Sequence, residues 1–369
     1  MGSRLRCDPP ARLAAGVLVV ALVVVAGGQA RAQAEPDTSG SAAAAVDAQN
    51  GSLRTVPFIT LRNKTGATQA AEYFGHERNG VTSGYCDVSH TPLEALQPIA
   101  KSAPFYVPDE RLALASIREQ PLAGFWSALE ASSEGRRPVL YTHGYYISFE
   151  RGCKRASLFQ HSMDLAGRFV LFSWPSDGAI LNYTHDESDL YWSVAHLAET
   201  LADMVGRFGA GGFDVVAHSL GTRGVMLALV RLSGARRGAG PLIHQLVLLA
   251  PDIDAGIFEQ NLPLIRPLAG NITIYASSHD KALALSRQIH GYARLGEAGA
   301  HLEGLTGVEI IDLSDIGVRY PSGHLYHLHH ATVVSDLKLL LNDTKSASQR
   351  PNLEQVGRNH WRLRTGTAK

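Results

Sequence analysis

The sequence predicts an α/β fold: a mostly parallel central sheet with helices on both faces and antiparallel strands at its N-terminal edge. Beyond residue 138, short apolar segments alternate with longer segments of helical periodicity, which is typical of parallel strands joined by crossover helices. The apolar segments are nearly continuous runs of Val, Ile, Leu and Phe, as burial on both faces of a sheet requires. One of them, 213–217, leads into a turn of small residues around Ser219, directly before an apolar helical segment.

The composition is that of a folded protein without a strong surface charge. The chain has 369 residues, 45% of them hydrophobic, and Lys plus Arg equal Asp plus Glu at 34 each. This length allows one large or two small domains with a substantial core. A balanced charge produces no field that would draw the chain to nucleic acid, so no nucleic-acid partner is expected.

Residues 1–34 have the pattern of a secretory signal peptide. Three arginines precede an apolar stretch over 13–26, and small residues follow it. That stretch is short for a bilayer span, which needs about 20 residues. We therefore expect cleavage after Ala32 or Ala34 and export, to the periplasm or as a secreted protein; the alternative is an uncleaved segment that anchors the protein in the membrane. Residues 35–52, rich in Ala, Ser, Gly and Asp, are predicted to form a flexible linker.

The elements that follow define a predicted domain over residues 53–343. Short strands at 55–61 and 80–88 are expected to form the antiparallel edge, and a helix is expected to begin after Pro121. The later apolar segments predict strands at 138–142, 169–174, 213–217, 245–250, 272–276 and 308–313. The segments of helical periodicity among them predict helices at 150–167, 189–208, 221–232, 281–290 and 331–341.

Two further segments are predicted to lack regular structure. Residues 251–271 are little more than a long loop by usual connection lengths, so no large lid over a site is expected. Residues 344–369 are polar, with four arginines against one glutamate, and are predicted to be a disordered tail. Weak contact with an anionic membrane surface is the alternative to simple solvation of this tail.

Ser219 is the candidate nucleophile. It lies in Ala-His-Ser-Leu-Gly (217–221), where a predicted strand turns directly into a helix. A serine at such a corner is held in a strained backbone conformation that exposes its hydroxyl. The residues two before and two after it must be small, and Ala217 and Gly221 meet this need. The alternative is that Ser219 only caps the following helix.

An acyl-transfer serine also needs a base and an acid that orients the base. Asp280 lies in the loop after one of the later predicted strands and is the preferred acid; it also precedes a helix that it can cap. Asp252 and Asp254, after the preceding strand, are the rivals. His324 follows a glycine in a late loop and is the preferred base, with His327 as the second choice.

The backbone amides of Tyr145 and Leu220 are the predicted donors to an oxyanion. A His143-Gly144 turn ends the strand at 138–142, and the glycine lets the backbone approach a substrate. Leu220 begins the helix after Ser219, at its positive end. His143 itself is expected to be structural. The pocket is expected to be shaped further by residues 172–178, Tyr183 and Asp186.

No cofactor or metal is predicted. His327, His329 and His330 lie close together in the sequence, but no Cys or Glu accompanies them at ligand spacing, which disfavours a zinc site. Removal of the leader leaves Cys86 and Cys153. In an oxidising compartment this pair forms either a disulfide or two buried thiols, and the sequence leaves both open.

Several motifs together resemble the bacterial DUF900 group of α/β-hydrolases, which are esterase- or lipase-like. The resemblance covers residues 56–341. The motifs are Tyr-Thr-His-Gly-Tyr (141–145), Phe-Ser-Trp-Pro-Ser-Asp-Gly (172–178), Ala-His-Ser-Leu-Gly (217–221), Ala-Pro-Asp-Ile-Asp (250–254), Tyr-Ala-Ser-Ser-His-Asp-Lys-Ala-Leu (275–283) and a late Gly-His (323–324).

The resemblance implies an α/β-hydrolase fold and a triad of Ser219, Asp280 and His324. The expected reaction is hydrolysis of a carboxylic ester through an acyl-enzyme, with a small-molecule or lipid ester as substrate. Lipase, thioesterase, amidase and acyltransferase activities remain open, because they differ in pocket shape and water access rather than in the triad. The alternative of another class is an inactive hydrolase fold that serves as an envelope-binding module.

Overall fold

The computed structural model describes residues 52–179, 182–235 and 240–365. The predicted signal peptide (1–34) and the predicted linker, apart from Ser52, lie outside these residues. Ser52 already begins the first strand. Within the described ranges, no helix combines the length and hydropathy that a membrane crossing requires.

The strands are longest at the N-terminal edge and short elsewhere. They are β1 (Ser52–Lys64), β2 (Phe74–Pro92), β3 (Glu110–Glu119), β4 (Val139–Thr142), β5 (Phe169–Ser173), β6 (Asp214–His218), β7 (Ile243–Leu249), β8 (Ala269–Ala276), β9 (Glu309–Asp312), β10 (Leu353–Gln355) and β11 (His360–Leu363).

The helices alternate with the strands from β4 to β9; the helix between β7 and β8 was not predicted. They are α1 (Gln97–Ser102), α2 (Leu122–Ser133), α3 (Phe149–Ser162), α4 (Tyr183–Phe208), α5 (Leu220–Ala235), α6 (Ala255–Ile265), α7 (Lys281–His290), α8 (Tyr326–His329) and α9 (Ala331–Leu341).

The described strands form one 11-stranded sheet in the order β10-β11-β9-β8-β7-β6-β4-β5-β1-β2-β3. Strands β4 to β9 pair in parallel, and β1 and β11 join them in parallel at β5 and β9. Strands β2, β3 and β10 pair antiparallel with their neighbours. The predicted fold class, a mostly parallel sheet with an antiparallel N-terminal edge, is confirmed.

The alternation of side chains along the central strands divides the core between the two faces of the sheet. In β6, Val215 and Ala217 belong to one apolar cluster and Val216 to the other. The first cluster packs under α2, α4, α5 and α6, and the second under α3 and α9. Burial on both faces explains why these strands read as continuous apolar runs.

A disulfide joins the antiparallel edge to the first crossover helix. Cys86 of β2 and Cys153 of α3 are bonded, with Cα atoms 6.5 Å apart. Both residues are fully buried within the second apolar cluster. Of the two possibilities that the sequence leaves open, the structure has the disulfide.

The prediction that 251–271 is a loop is wrong, since α6 occupies Ala255–Ile265. The side chain of Asp254 caps this helix by accepting from the N–H groups of Gly256 and Ile257. Pro263 lies inside the helix, and a proline within so short an apolar segment hides a helix from pattern reading.

The prediction of a disordered tail at 344–369 is also wrong for the described part, up to residue 365. Strand β11 pairs in parallel with β9. Arg350 is fully buried, with Nη1 2.7 Å from Oδ2 of Asp336 and Nη2 3.2 Å from Oε2 of Glu309. Arg364 is paired with Glu354 and Asp315. These two of the four arginines are therefore compensated within the fold.

Candidate active site

Four loops with polar side chains meet at the carboxyl ends of the parallel strands. His143 and Gly144 follow β4, Ser219 follows β6, Asp280 follows β8 and His324 lies in the loop after β9. The carboxyl ends of parallel strands share one edge of the sheet, so residues far apart in the chain come together there.

Ser219 is held in a strained turn. Its φ angle is 53°, in the left-handed region that costs a non-glycine residue about 1 to 3 kcal/mol. Its N–H donates to the carbonyl of Leu249 at 2.9 Å, and its carbonyl accepts from the N–H of Asp252 at 3.3 Å. The surrounding backbone thus holds the turn at the end of β7, and this is the geometry expected of a nucleophile elbow.

Two glycines allow the loop after β4 to touch this turn. A Cβ on Gly221 would lie 2.3 Å from the carbonyl oxygen of His143. A Cβ on Gly144 would lie 2.7 Å from the Cβ of Ser219. Any side chain at either position would push the two segments apart. Tyr145, which follows Gly144, would then move away from Leu220, which follows Ser219.

His324 and Asp280 are hydrogen-bonded. Nδ1 of His324 lies 2.7 Å from Oδ2 of Asp280, and the carboxylate is fully buried. Oδ1 of the same carboxylate accepts from the N–H groups of Ala282 and Leu283, each at 3.0 Å, and so caps α7. Asp280 therefore has both of the roles that the sequence allowed, orienting a histidine and capping a helix.

Ser219 and His324 line one pocket of about 420 Å³. Within the described ranges the Ser219 hydroxyl makes no hydrogen bond, either to His324 or to the N–H groups of α5, so it does not act as a helix cap. In structures without substrate, catalytic hydrogen bonds are often long and tighten only in the complex. The other lining residues are Tyr145, Tyr146, Arg155, Tyr183, His218, Asp252, Ala282, Leu283, Leu285, Ser286, Ile289, Tyr320, Ser322 and Leu325.

The second-choice base, His327, does not line this pocket and is fully buried. Among the residues that the structure describes, neither of its ring nitrogens has a hydrogen-bond partner, and burial lowers its pKa well below the usual value. Its ring packs 4.4 Å from that of His218. His327 is thus part of the core behind the site, and the alternative in which it acts as the base is wrong.

His218 supports the His324 loop. Its Nε2 lies 3.1 Å from the carbonyl oxygen of His324, and the two rings are 4.6 Å apart. Burial lowers the pKa of His218 well below its usual value, so the ring is neutral and donates Nε2–H to that carbonyl. The sequence shows only that a histidine precedes Ser219. In the part of the chain that the structure describes, no group of three or more His, Cys, Asp or Glu side chains could hold a metal ion.

The rival acids are committed to other partners. Asp254 caps α6, whereas the buried Asp252 accepts from Arg294 Nε at 2.7 Å and Ser286 Oγ at 2.6 Å. Burial opposes ionisation of Asp252, but Arg294 and Arg223 outweigh it and lower its pKa. Asp252 therefore contributes a charged, fully paired wall of the pocket and makes no hydrogen bond to His324.

The turn after β4 rests on a buried polar network. His143 stacks on Trp174 with ring centroids 5.1 Å apart, and its Nε2 lies 3.2 Å from Oγ of Ser173. Burial and the charge of Arg62 lower the pKa of His143 to about 3, so the ring stays neutral. This placement agrees with the structural role expected for His143.

Arg62, on β1, is a structural residue of the site that sequence reading misses. It is fully buried and donates to Ser173 Oγ at 3.0 Å and to the carbonyls of Ser176 and Ile147 at 2.7 and 2.6 Å. Burial lowers its pKa to about 9. Its place in a strand of the antiparallel edge contains no signal of this role, because each acceptor comes from a distant segment.

Asp186 holds the neighbouring Tyr146 in place. Oδ2 of this buried carboxylate accepts from the N–H of Tyr146 at 3.2 Å and from Ser176 Oγ at 2.5 Å, and Oδ1 accepts from the N–H of Asp177 at 2.9 Å. Tyr146 itself has a φ angle of 64°. Asp186, which the sequence names only as a residue that shapes the pocket, thus restrains the backbone next to Tyr145.

The fold and the residues at this edge of the sheet define an α/β hydrolase. The profile of the family described as "Alpha/beta hydrolase of unknown function (DUF900)" matches residues 125–342. This is more than half of the chain, and the chain belongs to that family. Among curated proteins, no match was found.

Solved structures similar to this chain include three hydrolases. A predicted CIB-like hydrolase from Thermoplasma acidophilum is 14% identical over 69% of this chain and 93% of that chain, with a TM-score of 0.32. An esterase from Pyrobaculum calidifontis is 11% identical over 71% of this chain and 82% of that chain, with a TM-score of 0.35. EstE1, a thermophilic and thermostable carboxylesterase cloned from a metagenomic library, is 14% identical over 81% of this chain and 88% of that chain, with a TM-score of 0.34.

Proposed function

We propose that this protein is a serine hydrolase that cleaves carboxylic esters through an acyl-enzyme. The observation that carries the proposal is the hydrogen bond between His324 and Asp280 in the pocket that also contains Ser219. A serine in a strained turn, an imidazole and a carboxylate that orients it are the three groups that acyl transfer requires.

In the first half of the reaction, Nε2 of His324 accepts the proton of the Ser219 hydroxyl as Oγ bonds to the ester carbonyl carbon. The Asp280 side chain accepts from Nδ1–H and so keeps Nε2 free to act as the base. The backbone N–H groups of Tyr145 and Leu220 stabilise the oxyanion that forms. His324 then donates its Nε2 proton to the alcohol oxygen, which leaves as the carbon–oxygen bond breaks.

In the second half, water attacks the acyl-enzyme. His324 accepts one proton of the water as its oxygen bonds to the carbonyl carbon. The bond to Ser219 Oγ then breaks, Oγ recovers the proton from Nε2, and the acid is released. No cofactor enters either half.

The walls of the pocket support an ester with an apolar part. Ala282, Leu283, Leu285 and Ile289 of α7 line one side. Leu285 and Ile289 are 43% and 59% exposed, so an acyl chain that covered them would remove apolar surface from water. The bound substrate is accordingly a small-molecule or lipid ester.

Export to an oxidising compartment is part of the proposal. The disulfide between Cys86 and Cys153 supports it, since such bonds persist mainly in secreted and periplasmic proteins.

The test is labelling with a fluorophosphonate, followed by assays on para-nitrophenyl esters of increasing acyl length. We expect the wild type and Ser188→Ala, a change of an exposed serine on α4, to be labelled, and Ser219→Ala to remain unlabelled and inactive. Labelling that persists in Ser219→Ala rejects the proposed nucleophile.

A second candidate is an inactive hydrolase fold that binds an envelope ligand. The observation that favours it is the missing hydrogen bond between Ser219 and His324 among the described contacts. The same experiment distinguishes the two: a folded wild type that neither reacts with the fluorophosphonate nor cleaves any ester of the panel would reject the esterase and favour the binding module.

A further inference from the structure

Arg155 stands out among the residues that line the pocket. It lies on α3, is half-buried, and lines the same pocket as Ser219 and His324. Within the described ranges, its guanidinium makes no hydrogen bond and no ion pair. The titratable groups that interact with it are the phenols of Tyr141, Tyr146 and Tyr320, the guanidinium of Arg151, and the imidazoles of His143, His218, His327 and His329. None of these groups is a carboxylate.

The buried arginines elsewhere in the described chain all have acceptors. Arg62 donates to carbonyls and a hydroxyl, Arg168 to a carbonyl and the side chain of Asn342, Arg223 to Glu187, Arg294 to Asp252 and Arg350 to Asp336. A charged group removed from water without a partner is unfavourable. The half-buried Arg155 differs from these five arginines because it has no acceptor among the described residues, and it lines the pocket that contains Ser219.

No carboxylate of the pocket is left to compensate Arg155. Asp252 is committed to Arg294 and Ser286, and Asp280 to His324 and the N-terminus of α7. On α3 itself, the i,i+4 neighbour Arg151 is also positive, and it donates to the carbonyl of Tyr146 at 2.6 Å rather than to a carboxylate. The potential at this wall of the pocket is therefore positive.

We propose that Arg155 binds an anionic group of the substrate, so that the natural substrate is an ester that also carries a carboxylate or a phosphate. This inference rests on the proposed hydrolase function and adds the class of ester. A guanidinium can donate two parallel hydrogen bonds to either oxyanion. The apolar wall of α7 takes the hydrocarbon part, and Arg155 takes the charged part.

The experiment compares matched esters in two arms. The soluble arm uses para-nitrophenyl hydrogen adipate and its methyl ester, in which the carboxylate is neutralised. The lipid arm uses dihexanoyl phosphatidate and dihexanoylglycerol. In each arm the ratio of kcat/KM, anionic to neutral, is measured for the wild type, Arg155→Met, Arg155→Lys and Lys154→Met. Lys154 is the control because it precedes Arg155 on the same helix and pairs with Glu150 at 2.5 Å outside the pocket.

We expect the wild type and Lys154→Met to favour the anionic ester by roughly 10- to 100-fold, the range of a charged hydrogen bond. Arg155→Met loses this preference and Arg155→Lys keeps part of it. The arm with the larger ratio identifies the source of the anion, carboxylate or lipid phosphate. Equal rates for anionic and neutral esters in both arms, or a ratio unchanged in Arg155→Met, overturn the proposal.

A binding measurement separates failure of this inference from failure of the hydrolase function. In the Ser219→Ala background, the dissociation constant of para-nitrophenyl hydrogen adipate is measured by calorimetry with and without Arg155→Met. A loss of roughly tenfold or more on removing Arg155 supports the anion site whether or not the wild type is a hydrolase; equal affinities reject it. If Arg155→Met does not fold, as judged by circular dichroism, Arg155→Gln replaces it in both measurements.

Discussion

The carboxylate of Asp280 divides its two oxygens between His324 and the helix that begins at the next residue. Oδ2 lies 2.7 Å from Nδ1 of His324, and Oδ1 accepts the first free N–H groups of α7. One short side chain thereby ties the imidazole to a rigid helix end. The pair of contacts also allows the two roles to be separated by mutation.

Asp280→Asn is expected to lower kcat roughly 10³- to 10⁴-fold, because the amide no longer holds the Nδ1–H tautomer of His324. Asparagine caps a helix about as well as aspartate, so the melting temperature is expected to change little. Asp254→Asn is the matched control, since Asp254 caps α6 in the same way. If Asp280→Asn retained the kcat of the wild type, Asp280 would be excluded as the acid that orients His324.

Asp186→Asn is expected to lower kcat/KM by roughly 10- to 100-fold. The amide cannot accept at both positions, which releases the N–H of Tyr146 and displaces the neighbouring Tyr145. The backbone N–H of Tyr145 is proposed to stabilise the oxyanion, which forms only during the reaction. The variant should therefore have a lower kcat and a nearly unchanged KM. Asp203→Asn, an exposed change on the same helix, should leave both constants unchanged. A purely structural role for Asp186 would lower the unfolding temperature and leave kcat as it is.

His327→Phe is expected to stabilise the protein by about 1 to 3 kcal/mol, because it removes two buried nitrogens that have no partner. It should also weaken the dependence of stability on pH. Burial lowers the pKa values of His327, His143 (to about 3) and His329 (to about 4). Below about pH 6.5 these histidines are therefore protonated in the unfolded chain but not in the native state. The free energy of unfolding consequently falls as the pH falls from about 6.5 to 4.

Urea unfolding between pH 7.5 and pH 4.5 measures this effect. Each such histidine adds roughly 1.4 kcal/mol per pH unit to the slope of the free energy of unfolding against pH. This slope should therefore be smaller for His327→Phe than for the wild type by about that amount. An unchanged slope would show that His327 is protonated in the native state as readily as in the unfolded chain.

Replacement of both Cys86 and Cys153 by serine is expected to lower the free energy of unfolding by roughly 4 kcal/mol. The bond closes a loop with a sequence separation of 67, and the loss of such a cross-link increases the entropy of the unfolded chain. Dithiothreitol should destabilise the wild type by a similar amount and leave the double variant unaffected. Alkylation of both thiols in native, unreduced protein would contradict the disulfide.

Arg350→Met is expected to destabilise the fold by about 3 to 5 kcal/mol, because it leaves Asp336 buried without its cation. Arg358→Met, an exposed change in the same C-terminal segment, is the control and should have little effect. Deletion of residues 344–369 should lower the free energy of unfolding at least as much as Arg350→Met, because it also removes β11 from its pairing with β9. A deletion variant as stable as the wild type would contradict a structural role for this segment and favour the prediction of a disordered tail.

The local patterns that predicted the central fold were strong ones. Helices at Lys281–His290 and Ala331–Leu341 were predicted with the bounds that the structure has. A run of apolar periodicity defines each of them, and the first also has an Asp cap. By contrast, β3 and α6 were missed. β3 is mostly exposed and alternates weakly, and α6 contains a proline.

The sequence by itself determined most of the strands and helices from β4 to α9 and the strained serine corner, because hydrophobic periodicity and small residues act over a few neighbouring positions. The tertiary structure alone decided which carboxylate meets His324, that His327 lies in the core, and that Arg350 anchors the C-terminal segment. It also decided that Arg155 lines the pocket with no hydrogen-bond acceptor among the described residues. These outcomes depend on side chains that are distant in the chain and adjacent in space, and their free energies come from burial and pairing that no local pattern contains.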